Sequence, residues 1–418
     1  MRITKRRLLL LGFLLATLLV LSACAGPQGL QGPVGPAGPP GPEGPQGPQG
    51  EAAPAQQSTN PAQAAKPEYV GAETCAGCHP AVASAYAKSG HNFTLNAVVN
   101  NARPAYPYSR IPQPPEGYTW KDITYVVGGF NWKALFLDKN GYIITGPPDA
   151  SGQSGYLNQF NLQNKVLNMG PGWESFHSDQ ANLPYNCGNC HTTGYSSSGH
   201  QDKLEGITGK WAATGVQCEA CHGPGSLHAS NPTGVRLLID RDSQACTRCH
   251  ELGQTAELQI ANGFISHHEQ YGDLPIGKHA LLGCLTCHDP HTGVVQKEQA
   301  GEPASPTPCE SCHYQEATVQ KVSIHMTVGV ACIECHMPPM IESAYGDPAK
   351  NTADIRTHRV VIDPTKIQQI NQDGSLATTA IALNSACRHC HFPGNLPPLT
   401  DQQLLTIASG YHASQVGK

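Results

Sequence analysis

The sequence predicts a mainly α-helical and irregular fold with few long elements, a small β-hairpin subdomain and an N-terminal stalk that is collagen-like or disordered. Three observations support this prediction: eight copies of one five-residue pattern, an apolar stretch with turn signals between the first two copies, and glycine at every third position near the N-terminus. The 418 residues include 44 glycines and 35 prolines, which favour loops and short helices.

The repeated pattern is C-x-x-C-H. Its two thiols attach covalently to one haem, and the adjacent histidine binds the iron from the same side. Structural zinc sites are the alternative, but they have no use for a histidine directly after each second cysteine. The sequence therefore predicts eight covalently attached haems c, so that porphyrin supplies much of the apolar interior. The predicted attachment residues, numbered here as sites one to eight in chain order, are Cys75, Cys78, His79; Cys187, Cys190, His191; Cys218, Cys221, His222; Cys246, Cys249, His250; Cys284, Cys287, His288; Cys309, Cys312, His313; Cys332, Cys335, His336; and Cys387, Cys390, His391.

Twelve histidines remain besides the eight attachment histidines, and each iron has a second face. A neutral imidazole on that face gives a six-coordinate haem suited to electron transfer. Histidines close to attachment sites are the candidates, with His267 as the alternative to His268, and His412 is expected beside a rather isolated eighth haem. His177 and His200 are reserves, and His389 is not expected to bind iron. The predicted second ligands are His91, His228, His268, His279, His291, His325, His358 and His412.

Several of these segments resemble the cytochrome c554/c-prime class of multihaem cytochromes. The segments are CHTTGY (190–195), GVQCEACHGPGSLH (215–228), HHEQY (267–271) and KHALLGCLTCHDPH (278–291). The resemblance covers about residues 70 to 415. It implies a helical and irregular fold with haems in near-contact pairs, and it implies the same eight second ligands.

Residues 1–23 read as a lipoprotein signal peptide. A basic head precedes an apolar run from Leu8 to Leu21, which is short for a membrane span. Leu21-Ser22-Ala23-Cys24 resembles a lipobox, and Cys24 is the one cysteine outside the haem patterns. We expect export and a lipid anchor on Cys24, facing the periplasm or the cell exterior. An ordinary signal with a chance cysteine is the alternative.

Residues 24–52 form the stalk, in which glycine recurs at every third position from Gly26 to Gly50. Only glycine fits the axis of three packed polyproline helices, so the period is typical of collagen. A short triple helix is marginally stable, which leaves two interpretations: a homotrimer held by the stalk, or a stiff single-chain tether. Residues 53–69 continue as a flexible linker.

The remaining chain divides at about residue 180. Residues 70–180 hold the first site and a small β subdomain, with strands expected at 123–127, 130–137 and 142–145 around a tight turn at Asp138–Gly141. Residues 181–418 hold the other seven sites and a terminal helix from Thr400 to Tyr411.

Two functions fit these features. The first is an electron-transfer protein that exchanges electrons with redox partner proteins or an extracellular acceptor, which the supply of histidines favours. The second is implied by a resemblance: GVACIECHMP (329–338) resembles octahaem reductases, which implies a reductase or oxidoreductase acting on nitrite, hydroxylamine or tetrathionate. The formal net charge of −5 gives no basic surface, so no nucleic acid partner is expected.

The lipid anchor is testable with one substitution. We expect Cys24→Ser to release the protein from membranes while the haem content per chain stays unchanged, because no haem pattern uses this thiol. Membrane fractionation with a haem assay on both fractions measures the two effects. Membrane association equal to that of the unmutated protein would show that another feature anchors the chain.

Overall fold

A computed structural model describes residues 66–162, 172–251, 260–266, 270–320 and 323–412. All of them belong to one compact unit, Gln63–Lys418. The signal peptide, Cys24, the stalk and most of the linker lie outside the described residues, as do His267 and His268. None of the helices within these ranges is both long and apolar enough to span a bilayer.

The helices of the described residues are short, as the glycine and proline content predicts. Most coincide with an attachment pattern or lie just after one. They are α1 Ala72–Ala76, α2 Pro80–Tyr86, α3 Gly188–His191, α4 Cys218–His222, α5 Ser226–Ser230, α6 Gln244–His250, α7 Val294–Gln299, α8 Tyr314–Gln320, α9 Ile324–Thr327, α10 Cys332–His336, α11 Leu383–Cys387 and α12 Asp401–Ala408.

The strands form three sheets within the described ranges. They are β1 Leu95–Ala97, β2 Tyr125–Gly128, β3 Lys133–Leu137, β4 Tyr142–Ile143, β5 Gln159–Asn161, β6 Trp173–Glu174, β7 Leu183–Pro184, β8 Thr192–Thr193, β9 Ala213–Thr214, β10 Ile260–Ala261, β11 Phe264–Ser266, β12 Pro339–Asp347 and β13 Thr352–Arg356. The first sheet has the order β1-β2-β3-β4-β7, with β5 pairing with β3 and β6 with β5. The second has the order β10-β11-β12-β13, and β8 pairs with β9.

The structure confirms the predicted hairpin but corrects the extent of β structure. β3 pairs antiparallel with β4, and the Asp138 side chain accepts from the backbone N–H groups of Asn140 and Tyr142, both at 2.9 Å. Gly141 adopts φ 85°, which favours glycine. Instead of a small hairpin in a mainly helical fold, helices and sheets are mixed. Strands of two or three residues, such as β6 and β7, are too short to give an alternating pattern in the sequence.

The first sheet is buried on both faces, which explains its continuous apolar runs. Successive side chains of a strand point to opposite faces. Val127 and Leu135 therefore pack on one side with Trp211, whereas Val126 and Phe136 pack on the other. Burying a side chain such as Phe136 contributes about 1.5–3 kcal/mol.

The C-terminal region differs from the prediction in one respect. The eighth site does not stand apart, because α11, which carries Cys387, packs against α10 of the seventh site. α12 begins after Thr400, whose hydroxyl caps the helix by accepting from the backbone N–H of Gln403. The helix ends at Ala408 rather than at Tyr411.

A buried carboxylate connects the first site to the third. Glu219, between the cysteines of site three, accepts backbone N–H bonds from Val70 at 2.9 Å, Gly71 at 2.8 Å and Gly225 at 2.7 Å. The side chain is buried, and it fixes the segment that enters α1.

We expect Glu219→Ala to lower the free energy of unfolding by about 1–3 kcal/mol, because backbone donors around a buried site lose their acceptor. A guanidinium chloride titration of the haem-loaded protein measures the loss. Glu73→Ala is the matched control, since Glu73 is exposed on α1, and its effect should stay within about 0.5 kcal/mol. Equal losses in the two variants would contradict the role of Glu219.

Candidate haem centres

Each described attachment pattern forms a single helical turn. The histidine backbone N–H donates to the carbonyl of the first cysteine, at 2.8 Å for His79, 2.9 Å for His288 and 3.0 Å for His391. Residues three and four apart lie on one face of such a turn. Two thiols and an imidazole therefore face the same side. All sixteen pattern cysteines are free of disulfides.

Seven of the eight attachment histidines face a second imidazole. Their ring planes make angles between 3° and 71°, and the ring centres lie about 6 Å apart in every case. The pairs, with centre-to-centre distances, are His79 with His228 (6.4 Å), His91 with His250 (6.2 Å), His222 with His291 (6.3 Å), His279 with His313 (5.8 Å), His288 with His358 (6.0 Å), His325 with His391 (6.0 Å) and His336 with His412 (5.9 Å).

This spacing fits an iron between two imidazoles. A bond from a metal to an imidazole nitrogen is about 2 Å, and each ring centre lies about 1 Å farther out, which gives about 6 Å between centres. The residues present therefore fit haem with two axial histidines at seven sites. Among the described residues no group of three or more His, Cys, Asp or Glu side chains is arranged to hold a metal ion by itself.

Hydrogen bonds at Nδ1 orient several of these rings. Nδ1 of His222 donates to the Leu238 carbonyl at 3.0 Å, and Nδ1 of His336 to the Val360 carbonyl at 2.8 Å. A proton on Nδ1 leaves the Nε2 lone pair for a metal. His325 Nδ1 lies 2.6 Å from the Tyr411 hydroxyl.

Each second imidazole comes from a segment outside the pattern that it faces. His91, which follows the first site, faces His250 of the fourth. His412 faces His336 of the seventh site rather than the eighth, where the sequence had suggested it, and His325 faces His391 instead. The reason is that α10 and α11 pack together, so segments near one site reach the neighbouring one.

The second site has different surroundings. Among the described residues, no imidazole pairs with His191, whose Nδ1 donates to the Thr94 carbonyl at 2.9 Å. Burial lowers the pKa of His191, the bond to Thr94 opposes this shift, and the Lys133 ammonium lowers the pKa further. Lys133 Nζ also donates to the Ser343 carbonyl of the second sheet at 2.7 Å.

The remaining described histidines make other contacts. His177 contacts Phe176, and Nδ1 of His200 donates to the Ile207 carbonyl at 2.7 Å. His389 donates through Nδ1 to the Ser385 carbonyl at 2.9 Å. His268, the eighth predicted ligand, lies outside the described residues.

Attachment cysteines of different sites lie close enough to shift one another's pKa. Burial and then Cys218 raise the pKa of Cys75, which links sites one and three. Burial and then Cys284 raise the pKa of Cys246 to about 11, which links sites four and five, and Cys221 of site three adds to the same shift.

The series continues toward the C-terminus. Burial and then Cys332 raise the pKa of Cys309, with a smaller contribution from Cys287, so site six neighbours sites seven and five. Burial and then the cysteines of site eight raise the pKa of Cys335 to about 12. Site two neighbours site four, since burial and then Cys190 raise the pKa of Cys249 to about 12. These interactions order the sites as a row of one, three, four, five, six, seven and eight, with site two beside site four. Direct packing of α1 on α4, of α3 on α6 and of α10 on α11 agrees with this order for sites one and three, two and four, and seven and eight.

Residues between the paired cysteines have roles that sequence reasoning missed. Glu219 binds the segment before site one. Arg248 of site four donates to the Ala220 carbonyl of site three at 2.6 Å, and Arg388 of site eight pairs with Asp401 at the start of α12. A charged residue at an x position of C-x-x-C-H was the only signal available in the sequence.

Known proteins similar to this chain are multihaem cytochromes. The family described as cytochrome c7 and related cytochrome c matches residues 174–251. The multiheme cytochrome MtrA of Shewanella baltica is 28% identical over 192 residues, covering 41% of this chain and 51% of that protein. The dissimilatory sulfite reductase MccA of Wolinella succinogenes is 24% identical over 405 residues, covering 72% of this chain and 56% of that protein. The chain thus spans about half the length of these curated relatives.

The solved structure of the octaheme sulfite reductase MccA of Wolinella succinogenes matches 81% of this chain and 69% of its own, with 20% identity and a TM-score of 0.53. At this identity the likeness concerns the fold. None of the matches singles out the cytochrome c554/c-prime class. Residues 174–251 thus match the cytochrome c7 family, the chain is similar to multihaem c-type cytochromes, and its attachment patterns fit covalent haem c.

Proposed function

We propose that the protein is an exported, lipid-anchored octahaem cytochrome that relays electrons between redox partners or to an extracellular acceptor. The observation that carries this proposal is the pairing of seven attachment histidines with a second imidazole at about 6 Å. Haem supplies one-electron exchange between ferric and ferrous iron when bound. A second imidazole closes the open face to substrates, and this coordination suits electron transfer.

The order of the attachment sites supports a relay. When site two is left out, each site from one to eight has cysteines close to those of the next site. Site two instead adjoins site four, through Cys190 and Cys249. Short hops between adjacent sites are what a conducting row requires. We assign the entry and exit of electrons to sites one, two and eight. Sites one and eight are the two ends of the row, and site two is its branch at site four.

His268 remains our proposed second ligand for the iron at His191. The sequence supplies His268 as a candidate, and the other seven predicted ligands already pair with the other seven attachment histidines. The lipid on Cys24 and the stalk of residues 24–52 would hold the cytochrome away from the membrane, as a trimer or as a single tether.

A reductase is the second candidate, and one observation favours it. His191 has no imidazole facing it among the described residues, while the Lys133 ammonium acts on it electrostatically. A cation beside an open haem suits a small oxyanion. The similarity to a sulfite reductase adds sulfite to nitrite, hydroxylamine and tetrathionate as substrates to test.

The native spectrum discriminates between the two candidates. We expect eight haems per chain in a pyridine haemochrome assay and only low-spin ferric signals by electron paramagnetic resonance, with no change on adding sulfite or nitrite. A high-spin signal together with viologen-dependent reduction of one of these anions would favour the reductase. In that case Lys133→Ala should lower the activity without changing the haem count.

Removal of one second ligand tests the pairing itself. We expect His412→Gly to open the iron held by His336, so that about one haem in eight becomes high-spin and binds cyanide or imidazole. His177→Gly is the matched control, because His177 faces no attachment histidine and its φ of 46° accepts glycine. Unchanged spin states in His412→Gly would contradict the proposed coordination of site seven.

A further inference from the structure

A fully buried ion pair lies next to His358, whose ring faces His288 of the fifth site. The side chains of Arg359 and Asp273 are both 0% exposed, and Arg359 Nε donates to Asp273 Oδ1 at 2.9 Å. Removing two charges from water costs free energy that only good geometry and complete hydrogen bonding recover. The hydrogen-bond partners of Arg359 and Asp273 therefore indicate which groups the ion pair positions.

Asp273 fixes the chain next to a predicted iron ligand. Its Oδ2 accepts from the Thr357 hydroxyl at 2.6 Å and from the backbone N–H of His358 at 3.0 Å. His358 is the residue whose ring faces His288 at 6.0 Å. The carboxylate thus positions the second ligand of the fifth site through its backbone.

Arg359 has one buried donor group left over. Nη1 donates to the Thr379 carbonyl at 3.0 Å, whereas Nη2 is buried and has no hydrogen-bond partner among the described residues. A guanidinium presents five N–H donors in a rigid fork that suits carboxylates, and buried donors without acceptors are rare. Nη2 therefore points to an anionic acceptor that belongs to the cofactor rather than to these side chains.

The same segment serves two further sites. The Val360 carbonyl accepts from Nδ1 of His336 at site seven. Gln270, whose carbonyl accepts from the Asp273 backbone N–H, holds Nδ1 of His250 at site four through its side-chain oxygen at 3.2 Å. The ion pair thus lies near predicted iron ligands of sites four, five and seven. Arg359 directly follows in sequence only a ligand of site five, His358.

We propose that Arg359 Nη2 donates to a propionate carboxylate of the haem bound by Cys284, Cys287 and His288, and that Arg359 is a binding and positioning residue for this haem. The assignment rests on the proposed coordination of that iron by His288 and His358. A buried propionate requires a cationic hydrogen-bond donor, and the planar fork can serve Asp273 and the propionate together. The positive charge favours the ferrous state of this haem, and the Asp273 charge opposes it.

Redox titration of full-length, haem-loaded variants tests the proposal. The low-spin signal that changes in His358→Ala identifies the fifth haem by electron paramagnetic resonance. We expect Arg359→Gln to shift the reduction equilibrium of that haem about tenfold toward the ferric state, which is about 59 mV for one electron. Asp273→Asn should shift it in the opposite direction. Arg359→Lys, which keeps the charge and loses the fork, should give a smaller shift than Arg359→Gln.

Arg356→Gln is the matched control. Arg356 lies three residues away but pairs with Glu334 at 2.8 Å and bonds to the Met337 carbonyl, so it belongs to the seventh site. Its replacement should leave the fifth haem unchanged. An unshifted fifth haem in Arg359→Gln would overturn the proposal, and so would a shift confined to another haem.

A structure of the unmutated, haem-loaded protein covers the case in which the variants fail to fold. Nη2 within hydrogen-bond distance of a propionate oxygen of the fifth haem is the expected result, and Nη2 bound to any other group overturns it. The spin state of the same sample shows whether the proposed coordination of the fifth haem holds, independently of the contact made by Nη2. A high-spin fifth haem would contradict the pairing of His288 with His358, while the contact of Arg359 would still be visible in the structure.

Discussion

An iron held between two imidazoles requires ring centres about 6 Å apart, and the attachment pattern supplies only one of the two rings. The second ring must come from elsewhere in the chain. In this protein it comes from segments as distant as those of His91 and His250. The long loops between the short helices therefore have a structural task, because each carries an imidazole to the far side of another site. Much of the irregular backbone follows from this requirement.

Polar groups connect one site to the next where apolar packing is sparse. The apolar clusters lie in the two larger sheets, around residues such as Phe136 and Ile341. Between attachment turns the contacts are instead charged side chains bonded to backbone, as with Glu219 and Arg248. Such bonds are directional, so they fix the relative orientation of neighbouring turns better than apolar contacts would.

Seven of the eight histidines predicted as second ligands face an attachment histidine, while their binding of iron stays a prediction. C-x-x-C-H is a single turn, and the histidines near it were natural candidates for ligands. The partners could not be assigned, since pairing depends on which turns pack together. His412 is the clearest case, because its position in the sequence suggested site eight while the packing of α10 on α11 places it opposite His336. The sheets were underestimated for a related reason. β5, β6 and β7 are too short to show a period of two in the sequence. They form by pairing with strands of the same sheet, as β7 does with β4.

The crossed pairing of imidazoles also has a consequence for how the protein is assembled. In the sequence, the second imidazole of a pair can lie far before or far after the attachment pattern that it faces. His91 precedes the fourth pattern, whose His250 it faces, and His412 follows the seventh, whose His336 it faces. Contacts of such high sequence separation form slowly, so an attachment turn folds before the remote segment that completes its pair docks. Folding therefore passes through species in which an attachment histidine lacks its second imidazole.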